Sequence, residues 1–482
     1  MDAKTRGQKM VGRKKEIAEL EKLYGSKKAE LVAIYGRRRV GKTYLVNQFF
    51  SDRFFFKHAG LAPEESDSGN ELSRQLDQFY LNLLSYGLKK EKKPDDWFEA
   101  FFLLRKLITE KDDGSRMVVF IDELPWLDTK KSNFIKAFEG FWNSFGCAKD
   151  NLMLIVCGSA TSWMENNLIN DHGGLYGRVT YEIKLAPFSL AECEEFFEAK
   201  GIAFSRYEIT LAYMALGGIP YYLNYIDGDY SVAQNLDNLF CKKNAKLKLE
   251  FDRLFRSVFS YSEKAKKMVE LLRSKRIGFT RNEISEKTGV AEGGTLTHYL
   301  NGLVASDFVT SYTPFGGSKR VTYYKLVDPF CLFYLTFCRS EMGNENFFSQ
   351  NMSNCKMNVW SGLSFENVCF NHIDQIKFAL GISGVNTSSS AFCSKEDGAQ
   401  IDLVISRSDN IVDLAEIKFY SDVFEVDKEC YMKTNGRVRA IMDKTPKKTS
   451  VRSILITTYG IKKNKYSSVF SNVVSLDDLF RF

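Results

Sequence analysis

The sequence predicts a multi-domain α/β chain, and three stretches predict it. Near the start, an apolar strand runs straight into a glycine-framed loop and then a helical segment. In the middle, three helical patterns lead into an alternating hairpin. Near the end, two apolar runs flank a polar turn and carry acids and a lysine where burial is expected. At 482 residues the chain exceeds what one ordinary core serves, so roughly two to four domains are expected. Hydrophobic residues make up 44% and charged residues 26%, a balance that suits folding over most of the length. The longest apolar candidate, FCLFYLTFC from Phe330, suits a core helix and is too short for a membrane span. MDAKTRGQKMVGRKKE has no hydrophobic stretch of the secretory kind, so the expectation is a cytoplasmic protein with no membrane partner. Ten cysteines without a CxxC pair and only four histidines argue against structural zinc and for reduced thiols.

The first element is ELVAIYGRRRVGKTYLVNQFF. The strand LVAIY ends at Gly36, and Arg37, Arg38, Arg39, Val40, Gly41, Lys42 and Thr43 complete the pattern GxxxxGK[ST]. Glycines let backbone N–H groups curl around phosphates while the following helix points its N-terminus at the anion. Lys42 is expected on the β- and γ-phosphates of ATP and Thr43 on the Mg²⁺. A partner strand follows in SRMVVFIDELPWL. Asp122, at its C-terminal end, is expected in the Mg²⁺ shell, and Glu123 beside it as the group that polarises the attacking water. The next strand, NLMLIVCGSATSWM, ends at Ser159, whose hydroxyl is a candidate sensor of the γ-phosphate. Arg178, in GGLYGRVTYEIK, is a candidate charge donor to the transition state, within the chain or from a neighbouring copy.

In order, Met10-Val-Gly-Arg-Lys-Lys-Glu16, the phosphate loop, Ile121-Asp-Glu-Leu-Pro-Trp126, Cys157-Gly-Ser-Ala160, Leu175-Tyr-Gly-Arg178 and Gly217-Gly-Ile-Pro220 resemble archaeal and bacterial AAA-type ATPases, in particular those allied to the signalling STAND NTPases. The resemblance covers about residues 10–230 and implies an additional-strand P-loop fold, a helical lid carrying the Gly-Ile-Pro turn, and nucleotide-dependent switching. It also implies that Val11-Gly-Arg13 lies near the adenine. The expected boundaries are 1–190 for the ATPase core and 191–260 for the lid.

Residues 261–328 read as a winged helix-turn-helix. SEKAKKMVELLRSK has helical apolar spacing. FTRNEISEKTGV opens with a capping box, Thr280 with Glu283, and closes at Gly289. A third helix runs through EGGTLTHYLNGLVASDFV, and VTSYTPFGGSKRVTYYKL alternates toward a tip at Gly316-Gly317 with Lys319 and Arg320. Two uses are open: DNA binding, with residues near Thr295 to His298 in the major groove and the wing on phosphate, or packing between domains. Residues 329–358 read as a helical linker.

Residues 359–482 begin again with an amphipathic helix, WSGLSFENVCFNHIDQI, which sets Glu366 beside an apolar face. A serine-rich polar stretch leads to GAQIDLVIS and NIVDLAEIKFY, then a helix and the strand SILITTYG. Strand positions two apart share a face, so Glu416 and Lys418 project together. An antiparallel partner brings Asp402 close to Glu416. Acids at Asp402 and Glu416 are suited to Mg²⁺ (or Mn²⁺), Glu366 to a further carboxylate, and Lys418 to orienting or activating water. Glu182-Ile-Lys184 has the same spacing as Glu416-Ile-Lys418 without a comparable partner strand, so the spacing alone is weak evidence. With Asp402 the constellation resembles the restriction-endonuclease-like PD-(D/E)xK superfamily, with Ile401 where the proline of that name stands. GAQIDLVI…DLAEIKF also looks like the C-terminal domain that accompanies this ATPase type in prokaryotes.

Net charge is +7, unevenly spread: residues 241–282 hold 13 Lys/Arg against 4 Asp/Glu, and residues 430–465 hold 10 against 1. Such patches suit nucleic-acid phosphate. The joined expectation is an ATP-binding and ATP-hydrolysing switch controlling a Mg²⁺-dependent DNA endonuclease, with self-association possible and a role in defence or mobile-element biology implied by the resemblance. The alternative is an ATP-dependent DNA-binding or scaffolding switch whose nuclease-like domain binds DNA or a partner without cutting.

Overall fold

The computed structural model describes residues 10–482 apart from 64–69, 171–173, 257–258, 260–261, 318–319, 340–342 and 395–398. Lys319, expected at the hairpin tip, lies outside the described residues. The chain divides into two compact units, Met1–Ala186 and Pro187–Phe482.

The first unit is built on five strands: β1 (Glu30–Tyr35), β2 (Phe54–Ala59), β3 (Met117–Asp122), β4 (Leu152–Gly158) and β5 (Tyr181–Lys184). All pair in parallel in the order β2-β3-β4-β1-β5. Every residue of β1, β3 and β4 is buried, which is why these segments read as near-continuous apolar runs rather than alternating ones. β4 lies between the glycine-loop strand β1 and the acid-bearing strand β3, the inserted strand that the resemblance implies. The core on one side is aromatic: Phe79, Trp97, Phe101, Phe134 and Phe138 are buried in edge-on, tilted and stacked contacts. Burial of each such ring contributes roughly 2–3 kcal/mol, so the ends of β1, β3 and β4 are held as one rigid edge.

The second unit begins with helices Leu190–Ala199 and Arg206–Leu216, each opened by a serine capping box, followed by the Gly217-Gly218 turn, both glycines at positive φ. Residues 262–326 hold helices Ser262–Arg273, Arg281–Thr288 and Gly294–Ala305 with a three-stranded antiparallel sheet of β6 (Phe279–Thr280), β7 (Val309–Tyr312) and β8 (Tyr323–Leu326). The Thr280–Glu283 capping box forms, and Gly289 ends the middle helix at φ 70°. The apolar stretch at Phe330 is helical and buried, as a core element. Among the described residues no helix is long and apolar enough to cross a membrane.

The last part is a mixed sheet of five strands, β9 (Thr387–Ser394), β10 (Ala399–Arg407), β11 (Ile411–Lys418), β13 (Ser450–Thr457) and β15 (Asn472–Ser475), in the order β15-β13-β11-β10-β9. A small parallel pair, β12 (Phe424–Glu425) and β14 (Ile461–Lys462), stands beside it. Helix Cys355–Asn371 precedes this sheet and helix Lys428–Met442 crosses between β11 and β13. The serine-rich stretch is itself a strand. β9 pairs along β10 from Ala399↔Ser394 to Arg407↔Thr387, with an irregularity between Ile401 and Val404. Serine disguises it in the sequence because small hydroxyls signal turns, whereas here the ladder and the buried Ala391 and Phe392 decide the conformation.

Candidate functional site

In the first unit the glycine loop follows β1. Gly36 has φ 139°, and a Cβ there would stand 2.4 Å from the Leu185 carbonyl oxygen, so only glycine fits this approach. Gly41, at φ 96°, caps helix Lys42–Phe50. Lys42 is buried and donates to the carbonyls of Gly36 (2.8 Å) and Arg37 (3.0 Å). Burial pushes its pKa down, against the pull of Glu123 and Asp122. The Thr43 hydroxyl donates to Asp122 Oδ2 at 2.7 Å, which brings the two expected Mg²⁺ ligands together from sequence positions 79 residues apart. Arg37 is buried, Arg38 and Arg39 are half-buried, and Arg39 takes a positive φ in the loop. Arg13 is buried and donates to the carbonyls of Val40 (3.1 Å) and Ala186 (2.7 Å), so it braces the loop from behind.

Those contacts are those of a phosphate loop with its acidic partner strand. Residues 10–226 match the family described as an ATPase domain predominantly from Archaea. This part of the chain is an ATPase domain. Over 441 residues, 88% of this chain and 91% of the relative, it is 26% identical to an uncharacterised protein of Methanocaldococcus jannaschii. A 43-residue stretch is 46% identical to an uncharacterised ATP-binding protein of the same organism, covering 9% of this chain and 73% of the relative. Among solved structures it is similar to a Walker-type ATPase of Pyrococcus abyssi, with TM-score 0.45 and 20% identity over 70% of this chain and 99% of the other. It is also similar to the Aeropyrum pernix ORC2 protein in its ADPNP–ADP complexes, with TM-score 0.41 and 14% identity over 72% of this chain and 97% of the other.

At the end of β4, Ser159 donates to Glu123 Oε2 through both its backbone N–H (3.1 Å) and its hydroxyl (2.8 Å). Glu123 has φ 47°, and its N–H bonds back to Asp122 Oδ1 at 3.0 Å. Ser159, read as a phosphate sensor, thus holds the neighbouring acid. Arg178 is exposed, and its backbone N–H bonds to the Leu175 carbonyl. Its guanidinium makes no ion pair among the described residues.

A second cluster forms in the other unit. β10 and β11 are antiparallel with Leu403 opposite Ala415, so one step further along that register lie Asp402 and Glu416. Lys418 shares the Glu416 face and binds Glu416 Oε1 at 2.9 Å. Glu366 comes from helix Cys355–Asn371 and is almost wholly buried. Burial, reinforced by Asp402, pushes the Glu366 pKa up to about 7. Burial works against the Lys418 charge, but Glu416 outweighs it and holds the Lys418 pKa above its ordinary value. Lys418 is therefore held as an ammonium paired with Glu416. Glu416 and Lys418 face a cleft also lined by Tyr420, Cys430, Lys433 and Arg437.

Sequence reading missed four partners of these acids. The Arg437 guanidinium, from helix Lys428–Met442, pairs with Glu416 Oε2. Gln400 Nε2 donates to Asp402 Oδ1 at 3.2 Å. Arg276, in the turn between helix Ser262–Arg273 and β6, donates from Nε to Glu366 Oε2 at 2.8 Å and from a terminal nitrogen to Asp402 Oδ2 at 2.5 Å. Lys325 on β8 is buried with its ammonium 4.6 Å from the Phe370 ring centroid, within the field of Glu366 and Asp402. The charge counts had marked the stretches holding Arg276 and Arg437, but a count cannot name a partner.

The two assigned ligands, Asp402 and Glu416, are both oxygen donors, which suits a hard divalent cation. Among the described residues no group of three or more His, Cys, Asp or Glu converges as a metal site. A magnesium site that rests on one or two carboxylates and otherwise on water and phosphate fits Asp402 and Glu416.

Proposed function

We propose that the chain is an ATP-hydrolysing switch whose residues 359–482 form a divalent-metal-dependent DNA endonuclease. In the ATPase core, Thr43 and Asp122 are assigned to Mg²⁺, Lys42 and the backbone of Gly36 to Gly41 to the phosphates, and Glu123 to the attacking water. Ser159 fixes Glu123 through its two bonds. Arg13 steadies the loop at Val40, and the exposed Arg178 is available to a neighbouring copy. The observation that carries the nuclease reading is the placing of Asp402 and Glu416 on facing antiparallel strands, one step beyond the Leu403–Ala415 pair, with Lys418 paired to Glu416 and Glu366 sharing the Arg276 guanidinium with Asp402.

Asp402 and Glu416 would hold the Mg²⁺ or Mn²⁺ ion. Bound there, the ion would supply charge neutralisation at the phosphodiester and a more acidic water. Lys418, kept protonated by Glu416, orients water and faces the charge that develops on phosphate. On helix Lys428–Met442 the exposed Arg439 offers a cation to the nucleic-acid backbone, while Lys433 pairs with Glu429 and Arg437 with Glu416.

Residues 261–328 we read as a winged helix. Its hairpin is engaged, since the Phe315 N–H donates to the Ala391 carbonyl of β9 at 3.0 Å and the Phe315 ring packs on the Phe392 cluster. That contact supports the packing use over wing-to-phosphate binding.

The ion pairs on Glu366, Asp402 and Glu416 favour a second reading, in which the acids serve structure and the domain binds DNA or a partner without cutting. Incubation with supercoiled and linear DNA, Mg²⁺ or Mn²⁺, and wild type beside Asp402→Ala and Glu416→Gln separates the two. Metal-dependent cutting lost in both variants supports the endonuclease; an unchanged rate in Asp402→Ala overturns it.

A further inference from the structure

Resting on the endonuclease reading, we infer that Arg276 is a latch that occupies the acid site and excludes the metal ion. The oxygens of the two metal-assigned carboxylates are all engaged. Asp402 Oδ1 accepts from Gln400 and Oδ2 from Arg276, while Glu416 Oε1 accepts from Lys418 and Oε2 from Arg437. Gln400 and Lys418 sit on the strands that carry Asp402 and Glu416, and Arg437 sits on the helix Lys428–Met442 that follows them. Arg276 alone comes from elsewhere, the helix-and-hairpin segment 262–326. Its guanidinium spans Glu366 and Asp402 and feels Glu416 as well. Burial opposes its charge, but the three acids prevail and hold its pKa above the ordinary value.

An inner-sphere Mg²⁺ needs carboxylate oxygens at about 2.0–2.1 Å, and a guanidinium bonded to the same carboxylate oxygen repels a divalent ion at that range. The two cations are therefore alternatives at Asp402. Lys325, from the same segment, lies on the Glu366 side, where burial pushes its pKa down against the pull of Glu366 and Asp402; the cation bonded to the acids from this segment is Arg276.

The turn bearing Arg276 is built rather than loose. Gly278, at φ 81°, stands so close to the Tyr324 carbonyl that a Cβ would clash at 2.1 Å. Lys275 pairs with Glu283 at 2.9 Å, and the Tyr312 hydroxyl donates to the Ile277 carbonyl at 2.5 Å. Arg276 thus moves with the whole segment. Polar contacts tying that segment to the last domain include Phe315 N–H to Ala391 and Asn367 Nδ2 to the Leu326 carbonyl at 3.2 Å. Release of the segment uncovers Asp402 and Glu366 together.

The test is Mn²⁺ affinity of the full chain, read as the paramagnetic signal of free Mn²⁺ during titration with nucleotide absent, with Asp402→Ala marking the share of binding that belongs to the acid site. Arg276→Ala is expected to bind about tenfold more tightly than wild type. Phe315→Ala, which loosens the segment without touching an acid, is expected to shift affinity in the same direction. Arg276→Ala/Asp402→Ala is expected to lose the gain. Equal affinity in wild type, Arg276→Ala and Phe315→Ala, with binding lost in Asp402→Ala, overturns the latch while leaving the metal site intact. Binding that is indifferent to Asp402 in every variant overturns the metal site, and the latch with it. DNA cutting by Arg276→Ala, expected to exceed wild type, is the second readout.

Discussion

Thr43 and Asp122 share one short hydrogen bond, and much of the nucleotide chemistry assigned to the first unit depends on that meeting. Lys42→Ala is expected to lose nucleotide binding, as followed with a fluorescent ATP analogue; retained affinity would contradict the assignment of the loop. Ser159 tests a finer point. Its hydroxyl and backbone both hold Glu123, so Ser159→Ala removes one of two bonds on the acid proposed to polarise the attacking water. The expected result is a turnover number lowered by about tenfold with KM little changed, since positioning acts on the chemical step. A raised KM with unaltered turnover would instead make Ser159 a ligand of bound nucleotide. The acids and the lysine of both sites were legible because strand ends and period-two spacing expose them. Arg276 was not, because its partners lie 90 and 126 residues along the chain; Gln400 shares a strand face with Asp402 two residues on, but an amide in a strand carries no signal of its own.

Elements decide whether such side chains meet. Gly36 ends β1 under the Leu185 carbonyl, and Gly36→Ala forces both a clash and an unfavourable φ. A destabilisation of roughly 2–3 kcal/mol is expected in denaturant unfolding, with nucleotide affinity lost alongside. In the second unit, His372 joins two helices. Its Nδ1–H donates to the Val368 carbonyl at 2.8 Å, and its Nε2 accepts the Leu190 N–H at 3.0 Å. That arrangement requires the neutral ring, and burial pushes its pKa down to about 4. Because the folded pKa is depressed, the stabilisation is complete above the unfolded value near 6.5 and is lost as pH falls toward 4. Roughly 3 kcal/mol is at stake, and unfolding of His372→Gln is expected to depend less on pH over that window than wild type. Apolar periodicity and capping signals made most helices and the buried strands readable. β9 was hidden because its serine content mimics a turn, and only the register with β10 reveals it.

At the scale of the whole molecule, an ATPase domain is joined to a domain whose acid cluster is clamped by cations. Nucleotide can control that cluster only if it favours one arrangement of the chain over another. Sequence alone named the ATPase domain, but which segment covers the acids is a property of packing between parts remote in sequence, here residues 276, 366 and 402. The most direct measurement is the time course of supercoiled-plasmid nicking with Mn²⁺, with and without ATP, by wild type, Asp402→Ala and Lys42→Ala. The account predicts metal-dependent nicking that responds to ATP in wild type, vanishes in Asp402→Ala, and no longer responds to ATP in Lys42→Ala. Nicking that persists unchanged in Asp402→Ala would contradict it.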